Sequence, residues 1–333
     1  MNYIIYDNIH DNNGFIAEAL IEKGIGIKEI YSPVSRYKCI SWIMGAVKAI
    51  QKSSSGDRLI FWYDFQGVIC FWICRLFLLR RNMILLNLLL KNKPTLRNKL
   101  VSRLYKPALQ SSRVRATVTS LEYGRKLNKQ LQVIVSYTLL RDVYPFAEKE
   151  ESEWKDCGNT VFCGGNNGRD WNLSIQIAGG MPEVRFVFVM PRAVMKSIPK
   201  GSLPGNIHLF CDIALDEFNR LLQESSIVML PLDTDAPAGL IVLFQAASQQ
   251  KLVVATSTPV TKEYLDQEFR GDPFKRAVIW YPTAKNAKDN LVSFYLRHPD
   301  MAQSKGKALH DRLKSECSKD IYTNHLYNLV ASE

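Results

Sequence analysis

The sequence predicts an α/β protein of two domains, each a mostly parallel sheet with crossover helices. Three observations carry this. The chain has 333 residues, beyond the usual size of one domain and within reach of two ordinary ones. Short apolar runs of strand length recur, each followed by a polar or Gly-containing loop and a helix-length segment. Charge also changes character between Arg141 and Asp156, where Asp142, Glu148, Glu150, Glu151, Glu153 and Asp156 replace a basic run and Pro145 interrupts regular structure. The expected division is residues 1–145 as an N-terminal domain, 146–159 as a linker, 160–318 as a C-terminal domain and 319–333 as a closing segment.

Tyr3 to Tyr6 reads as the first strand, followed by the polar loop Asp7 to Gly14 and a helix from Phe15 to Glu22. Leu59 to Tyr63 and Met83 to Leu86 read as buried strands. Arg115 to Thr119 follows as another, after which Ser120 caps a helix running through Leu127. In the C-terminal half, strands are expected at Thr160 to Cys163, Arg185 to Val189, Asn206 to Phe210, Ile227 to Leu230 and Leu252 to Ala255. Helices are expected at Trp171 to Ala178, at Leu240 to Ser248, and up to Gln223 with Asp216 as cap; residues 286–297 and 303–315 also read as helical. In such a sheet the ligand crevice lies beyond the carboxyl ends of the strands.

A composition that is 47% hydrophobic supplies two cores and excludes a disordered chain. The seven cysteines lack the paired spacings of a zinc ribbon and read as buried thiols in a reducing, cytoplasmic compartment. Cys70 and Cys74 share a face if their stretch is helical, but two thiols fall short of a metal site. His208, His298, His310 and His325 show no ligand spacing, so no metal is expected. The chain reaches Asp7 and a polar loop almost at once, so no cleavable leader is expected. The apolar run from Gly67 to Cys74 is cut by Arg75, Arg80 and Arg81 before it could span a bilayer, and Met83 to Leu90 is also too short.

From Phe65 to Leu121 there is no Asp or Glu, while Arg75, Arg80, Arg81, Lys91, Lys93, Arg97, Lys99, Arg103, Lys106, Arg113 and Arg115 equal the whole formal charge of +11. With Trp62, Phe71, Trp72, Phe77 and Tyr105 nearby, this segment suits an anionic lipid surface. Nucleic acid is less favoured, because the cations are interleaved with Leu/Ile stretches and no zinc-finger, homeodomain or RNA-recognition pattern is present. A solvated basic rim is the third reading.

The C-terminal half carries the sharper pattern. Gly164-Gly165-Asn166-Asn167-Gly168 stands between a strand and a helix, where glycine permits close backbone approach and N–H groups can face a phosphate, with Arg169 as a charged clamp. It is neither a Walker loop nor Gly-x-Gly-x-x-Gly, and an ordinary strand-to-helix turn remains open. A second Gly/Pro-punctuated loop, Pro231 to Gly239, precedes the helix at Leu240. Thr256 and Thr258 end the following strand, either as phosphate or sugar contacts or as a helix cap.

Over residues 160–265 the chain resembles the retaining nucleotide-sugar-dependent glycosyltransferases with two facing Rossmann-like domains, the GT-B architecture, a group that includes bacterial polysaccharide-building enzymes. Gly164 to Trp171 resembles that family's donor-phosphate loop. Ala238 to Thr256 resembles its donor-binding helix and following strand. The resemblance implies a donor site formed by Gly164, Gly165, Asn166, Gly168, Arg169, Ala238, Gly239, Leu240, Gln245 and Thr256. It further implies a nucleotide diphosphate sugar as donor with no required cofactor, a saccharide or lipid-linked saccharide acceptor, and a site at the inner face of the plasma membrane. The closing segment, Tyr322 to Val330, is expected to cross back to the first domain. Where many members carry two glutamates eight positions apart, this chain has Pro237 and Gln245; the amide can hydrogen-bond a donor but cannot act as a base. In the N-terminal domain His10, Asp11 and Asp64 are candidates to orient the acceptor, with solvated-loop roles open for each. A nonenzymatic nucleotide-sugar-binding or scaffolding homologue is the main alternative.

Overall fold

The structure, a computed structural model, describes residues 1–7, 14–90, 95–144, 157–199, 201, 203–265, 279–280 and 291–331. His10, Asp11, Lys91, Lys93, residues 145–156 and residues 281–290 therefore lie outside the described residues. The chain divides into two compact units, Met1–Val143 with Lys319–Glu333, and Tyr144–Ser318.

The first unit runs β1 (Asn2–Tyr6), α1 (Gly14–Glu22), β2 (Ile27–Tyr31), α2 (Lys38–Lys52), β3 (Arg58–Phe61), α3 (Asp64–Leu76), β4 (Asn82–Leu85), α4 (Leu96–Leu109), β5 (Val114–Val118), α5 (Leu121–Leu131) and β6 (Thr138–Leu139). Its six strands are all parallel, in the order β2-β1-β3-β4-β5-β6. Helices cover both faces of such a sheet, which is why Tyr3 to Tyr6, Leu59 to Phe61 and Met83 to Leu85 are continuous buried apolar runs without alternation. Ser120 caps α5 by accepting the Tyr123 N–H at 3.4 Å.

Several elements differ from the sequence expectation. The apolar run at Gly67 to Cys74 is the body of α3, and it buries Cys70 and Cys74 on one side. Nothing in the sequence reading anticipated β2, α2 or α4. In α2 the small residues Ser41, Gly45, Ala46 and Ala49 point inward. A Cβ on Gly45 would stand 2.2 Å from Ser32 Oγ and 2.3 Å from Gln66 Nε2, so α2 approaches the neighbouring elements at a distance only glycine allows.

The second unit runs β7 (Thr160–Gly164), α6 (Trp171–Gly179), β8 (Arg185–Met190), α7 (Arg192–Met195), β9 (Ile207–Cys211), α8 (Leu215–Gln223), β10 (Ile227–Leu230), α9 (Leu240–Ser248), β11 (Leu252–Thr256), α10 (Pro259–Leu265), β12 (Ile279–Trp280), α11 (Leu291–Leu296) and α12 (Pro299–Glu316). This sheet is also wholly parallel, in the order β12-β11-β10-β7-β8-β9. Growth proceeds outward from β7 through β8 to β9, then returns to the other side of β7 with β10, so the order reverses between β7 and β10. That is the Rossmann arrangement, with its switch point at those two strands. Asp216 does not cap α8: it lies in the first turn, and the cap position is Ala214, whose side chain accepts nothing.

The last helix, α13 (Lys319–Ala331), belongs to the first unit. Its Tyr322, Leu326, Leu329 and Val330 join Ile4, Ile16, Leu20 and Ile60 in one buried cluster. Arg58 at the start of β3 donates to the Val330 carbonyl and fixes the end of α13. Among the described residues no helix is long and apolar enough to cross a membrane.

Candidate functional site

The second sheet's switch point brings together the loop after β7 and the loop after β10. The β7–β10 ladder pairs Val161 and Phe162 with Ile227 and Val228, nearer the start of the strands. Beyond it the two loops lock together: Asp170 N–H donates to the Pro231 carbonyl at 3.0 Å, Asp233 N–H donates to the Gly168 carbonyl at 3.0 Å, and Arg169 and Leu232 form an isolated antiparallel bridge. Leu232 N–H in turn donates to Thr256 Oγ1 at 2.9 Å, tying the end of β11 to the same crevice.

Arg169 sits at the centre of this arrangement and is only 7% exposed. Its Nε donates to the Gly164 carbonyl at 2.7 Å and one terminal nitrogen donates to the Asn167 carbonyl at 3.3 Å. A Cβ on Gly165 would lie 2.6 Å from the guanidinium, and one on Gly239 would lie 3.0 Å from it. Both glycines have positive φ, +115° and +80°, so both lack a side chain where backbone and guanidinium must meet. The cation is thus held between the first loop and the start of α9. Among the described residues no carboxylate pairs with it. Burial pulls its pKa downward, as expected for a cation removed from water without an anion.

The two helix starts at this edge differ. Helix α6 is closed by Asp170, whose carboxylate accepts the Leu173 N–H at 3.0 Å. Helix α9 begins at Gly239 with no side-chain cap, which leaves its first N–H groups without a side-chain acceptor beside Arg169. The sequence reading placed the phosphate-facing helix start after the first loop; the geometry favours α9. A cation and an uncapped helix N-terminus at a switch point can together hold an anionic diphosphate.

The remaining sequence-predicted positions divide by burial. Asn166 is exposed at the loop tip and Gly168 is half-buried. Ala238, Leu240 and Gln245 are buried at 8%, 6% and 6%, so Ala238 and Leu240 offer a ligand their backbone rather than side chains. Thr256 Oγ1 is the loop anchor described above. Thr258 is a helix cap: its hydroxyl accepts the Thr261 N–H at 3.1 Å and Thr261 Oγ1 accepts the Thr258 N–H at 2.8 Å. Asp233 and Asp235 form an Asp-x-Asp pair that the metal expectation overlooked. Among the described residues, no group of three or more His, Cys, Asp or Glu is placed to hold a metal ion.

In the first unit Asp64 is 2% exposed at the start of α3. One oxygen accepts the Phe65 N–H at 2.8 Å; the other accepts the Leu89 N–H and the Tyr105 hydroxyl, each at 2.8 Å. Burial lifts its carboxyl to about 6 against those hydrogen bonds. Asp64 thus knots α3, the segment after β4 and α4 together, an architectural placement that does not present the carboxylate to an acceptor. His10 and Asp11 lie outside the described residues.

No protein-family profile and no curated protein matches the chain. Solved structures do. Anabaena Alr3699/HepE, in complex with UDP, matches over 100% of this chain and 100% of its own at TM-score 0.69 and 11% identity. The fold is that of the GT-B glycosyltransferases. TarM of S. aureus shares the GT-B fold over 87% of this chain and 59% of its own, at TM-score 0.61 and 13% identity. The pneumococcal O-GlcNAc transferase GtfA, in complex with UDP and GlcNAc, does so over 86% of this chain and 59% of its own, at TM-score 0.58 and 11% identity. The chain therefore spans about six tenths of TarM and of GtfA, and all of HepE.

Proposed function

We propose that this protein is a glycosyltransferase that moves a sugar from a nucleotide diphosphate sugar to a hydroxyl acceptor with retention at the anomeric carbon. The acceptor we propose is a saccharide or lipid-linked saccharide of bacterial surface or exopolysaccharide synthesis, met at the cytoplasmic face of the plasma membrane. One observation carries the donor half of this reading: Arg169 is a buried cation without a carboxylate partner among the described residues, set against the uncapped start of α9. The UDP bound in the HepE and GtfA structures makes a uridine diphosphate sugar the first donor to test.

In the transfer, the acceptor oxygen bonds to the anomeric carbon while the bond from that carbon to the diphosphate oxygen breaks. The electron pair leaves with the nucleotide diphosphate, and the acceptor proton passes to the departing phosphate oxygen on the same face. Negative charge grows on the diphosphate as the bond breaks. Arg169 and the N–H groups of α9 are fixed before the reaction, so they stabilise that charge without reorganising. Gln245 supplies an amide to the donor rather than a base. His10 and Asp11, which follow β1 in sequence, are proposed to orient the acceptor.

The test is a panel of nucleotide sugars with saccharide and lipid-linked acceptors, followed by release of nucleotide diphosphate and by the anomeric configuration of the product. Transfer with retention from a uridine diphosphate sugar is expected. Saturable donor binding with neither transfer nor hydrolysis would assign the chain instead to nonenzymatic nucleotide-sugar binding.

A further inference from the structure

Helix α2 is turned inside out. Its inward side is made of Ser41, Gly45, Ala46 and Ala49, while its large apolar residues face solvent: Ile40, Ile43, Met44 and Val47, from 36% exposed at Val47 to 50% at Met44. These four are spaced i, i+3, i+4, i+7, the stripe that an ordinary surface helix buries. Exposed Tyr37 and Val34 extend the stripe before the helix begins.

A second exposed apolar element adjoins it. Every residue from Arg75 to Arg80 is exposed, and Leu76, Phe77 and Leu78 reach 76%, 65% and 90%. Leu78 holds a left-handed φ of 54°, a conformation that costs a side-chain-bearing residue about 1 kcal/mol. Arg81 fastens this tip to the end of α2 by donating to the Ile50 and Ser53 carbonyls and to Ser53 Oγ. Beside it, Arg75, Arg81 and Arg113 line a cavity of about 490 Å³ together with Phe71, Leu79 and Met83.

Charge decides what covers this face. From Ile30 to Gly56 there is no Asp or Glu, and Arg36, Lys38, Lys48 and Lys52 stand exposed around the stripe. Between Ile30 and Leu121 the only acids are Asp57, paired with the N-terminal amine at 3.0 Å, and the buried Asp64. A second copy of the chain seated on α2 would set these lysines against themselves with no acid nearby. Nucleic acid would satisfy the cations but leave the apolar stripe in water. An anionic lipid bilayer satisfies both, with apolar side chains at the acyl boundary and cations among the headgroups.

We infer that the first unit docks on an anionic bilayer through the outer face of α2 and the tip at Leu76 to Leu79, with the Arg75–Arg81–Arg113 cavity beside the headgroup phosphates. This holds whether or not the donor reading does, because lipid binding needs no sugar donor.

The full chain is sedimented with phosphatidylcholine vesicles containing or lacking phosphatidylglycerol, at rising salt. Binding is expected only with phosphatidylglycerol and is expected to weaken as salt rises. The paired change Ile43→Gln with Met44→Gln should lower the partition coefficient about tenfold or more, as two half-exposed apolar side chains no longer enter lipid. Leu78→Asn, which keeps a residue that accepts positive φ, should lower it too. Ile134→Gln, exposed outside both elements, should leave it unchanged. The inference is overturned by no binding to either vesicle, by wild-type binding in the paired variant, or by a solution dimer that this variant converts to monomer. Retention on polyglutamate without vesicle binding would overturn it in favour of an acidic protein partner.

Discussion

Replacing Arg169 with Met separates an anion-binding role from a structural one, because the two roles predict different outcomes. Met preserves most of the side-chain volume and removes the charge. On the stability side, the change removes two charge-assisted hydrogen bonds, to the Gly164 and Asn167 carbonyls. Each such bond contributes about 1.5–3 kcal/mol. It also removes the penalty of burying a cation without an anion, which runs to several kcal/mol. These offset, so the folded state should change by no more than about 2 kcal/mol. On the binding side, a unit charge near 4 Å from a phosphate at an effective dielectric of 20 contributes about 4 kcal/mol, close to a thousandfold in affinity. Part of that falls to the α9 N–H groups, so we expect UDP affinity to drop about 100- to 1000-fold by isothermal titration, with a urea midpoint near wild type. A variant that loses most of its stability, or one that stays folded and binds UDP as tightly as wild type, would refute the assignment.

Asp64 makes a pH prediction. Burial raises its carboxyl from the usual 3.8 to about 6, so between those values the folded chain holds a proton that the unfolded chain has released. Its contribution to stability is therefore complete below about pH 4 and is lost as pH rises through about 6, a change of about 3 kcal/mol. Asp64→Asn should flatten this slope. Asp142, lifted in the same direction by burial, titrates in both proteins, so the difference between their urea midpoints from pH 4 to 7 isolates Asp64; a constant difference would count against the buried-carboxyl reading. Gly306→Ala should destabilise the second unit by about 2 kcal/mol or more, because the new Cβ would lie 2.0 Å from the Gln250 carbonyl oxygen, and backbone must move to admit it. A thermal midpoint equal to wild type would mean that α12 shifts freely against the turn between α9 and β11.

Where the sequence could be read, the reason is burial on both faces. Strands such as Tyr3 to Tyr6, Ile227 to Leu230 and Leu252 to Ala255 are unbroken apolar runs because helices cover each side, and the two loops of the second unit announce themselves by Gly, Pro and Asn. The strand Ile27 to Tyr31 escaped because Lys28 and Glu29 interrupt it at a sheet edge. Helix α4 escaped because Leu96 and Leu100 face outward and Pro107 lies inside it. Arg169 was legible as a cation in a glycine loop. Its burial between Gly165 and Gly239 was not, since that depends on two segments about seventy residues apart meeting across the switch point. The same holds for Asp64, whose partners Leu89 and Tyr105 come from separate elements.

Helix α2 and Arg169 resisted sequence reading for a shared reason: each breaks the rule by which a sequence announces its structure. A helix normally buries its apolar stripe, and a buried cation normally keeps a carboxylate. Inverted α2 gives up the burial of four large side chains, and Arg169 gives up an ion pair, so each disfavours the isolated folded chain. Neither is a defect of packing, because the surroundings are shaped to maintain it: Gly45 lets α2 approach with its small side inward, and Gly165 and Gly239 leave room for the guanidinium. Elements held in place against their own free energy are completed by what binds there, lipid at one and diphosphate at the other. Each ligand should therefore stabilise the fold as well as bind it, so UDP should raise the unfolding midpoint of the wild-type chain and have little effect on Arg169→Met.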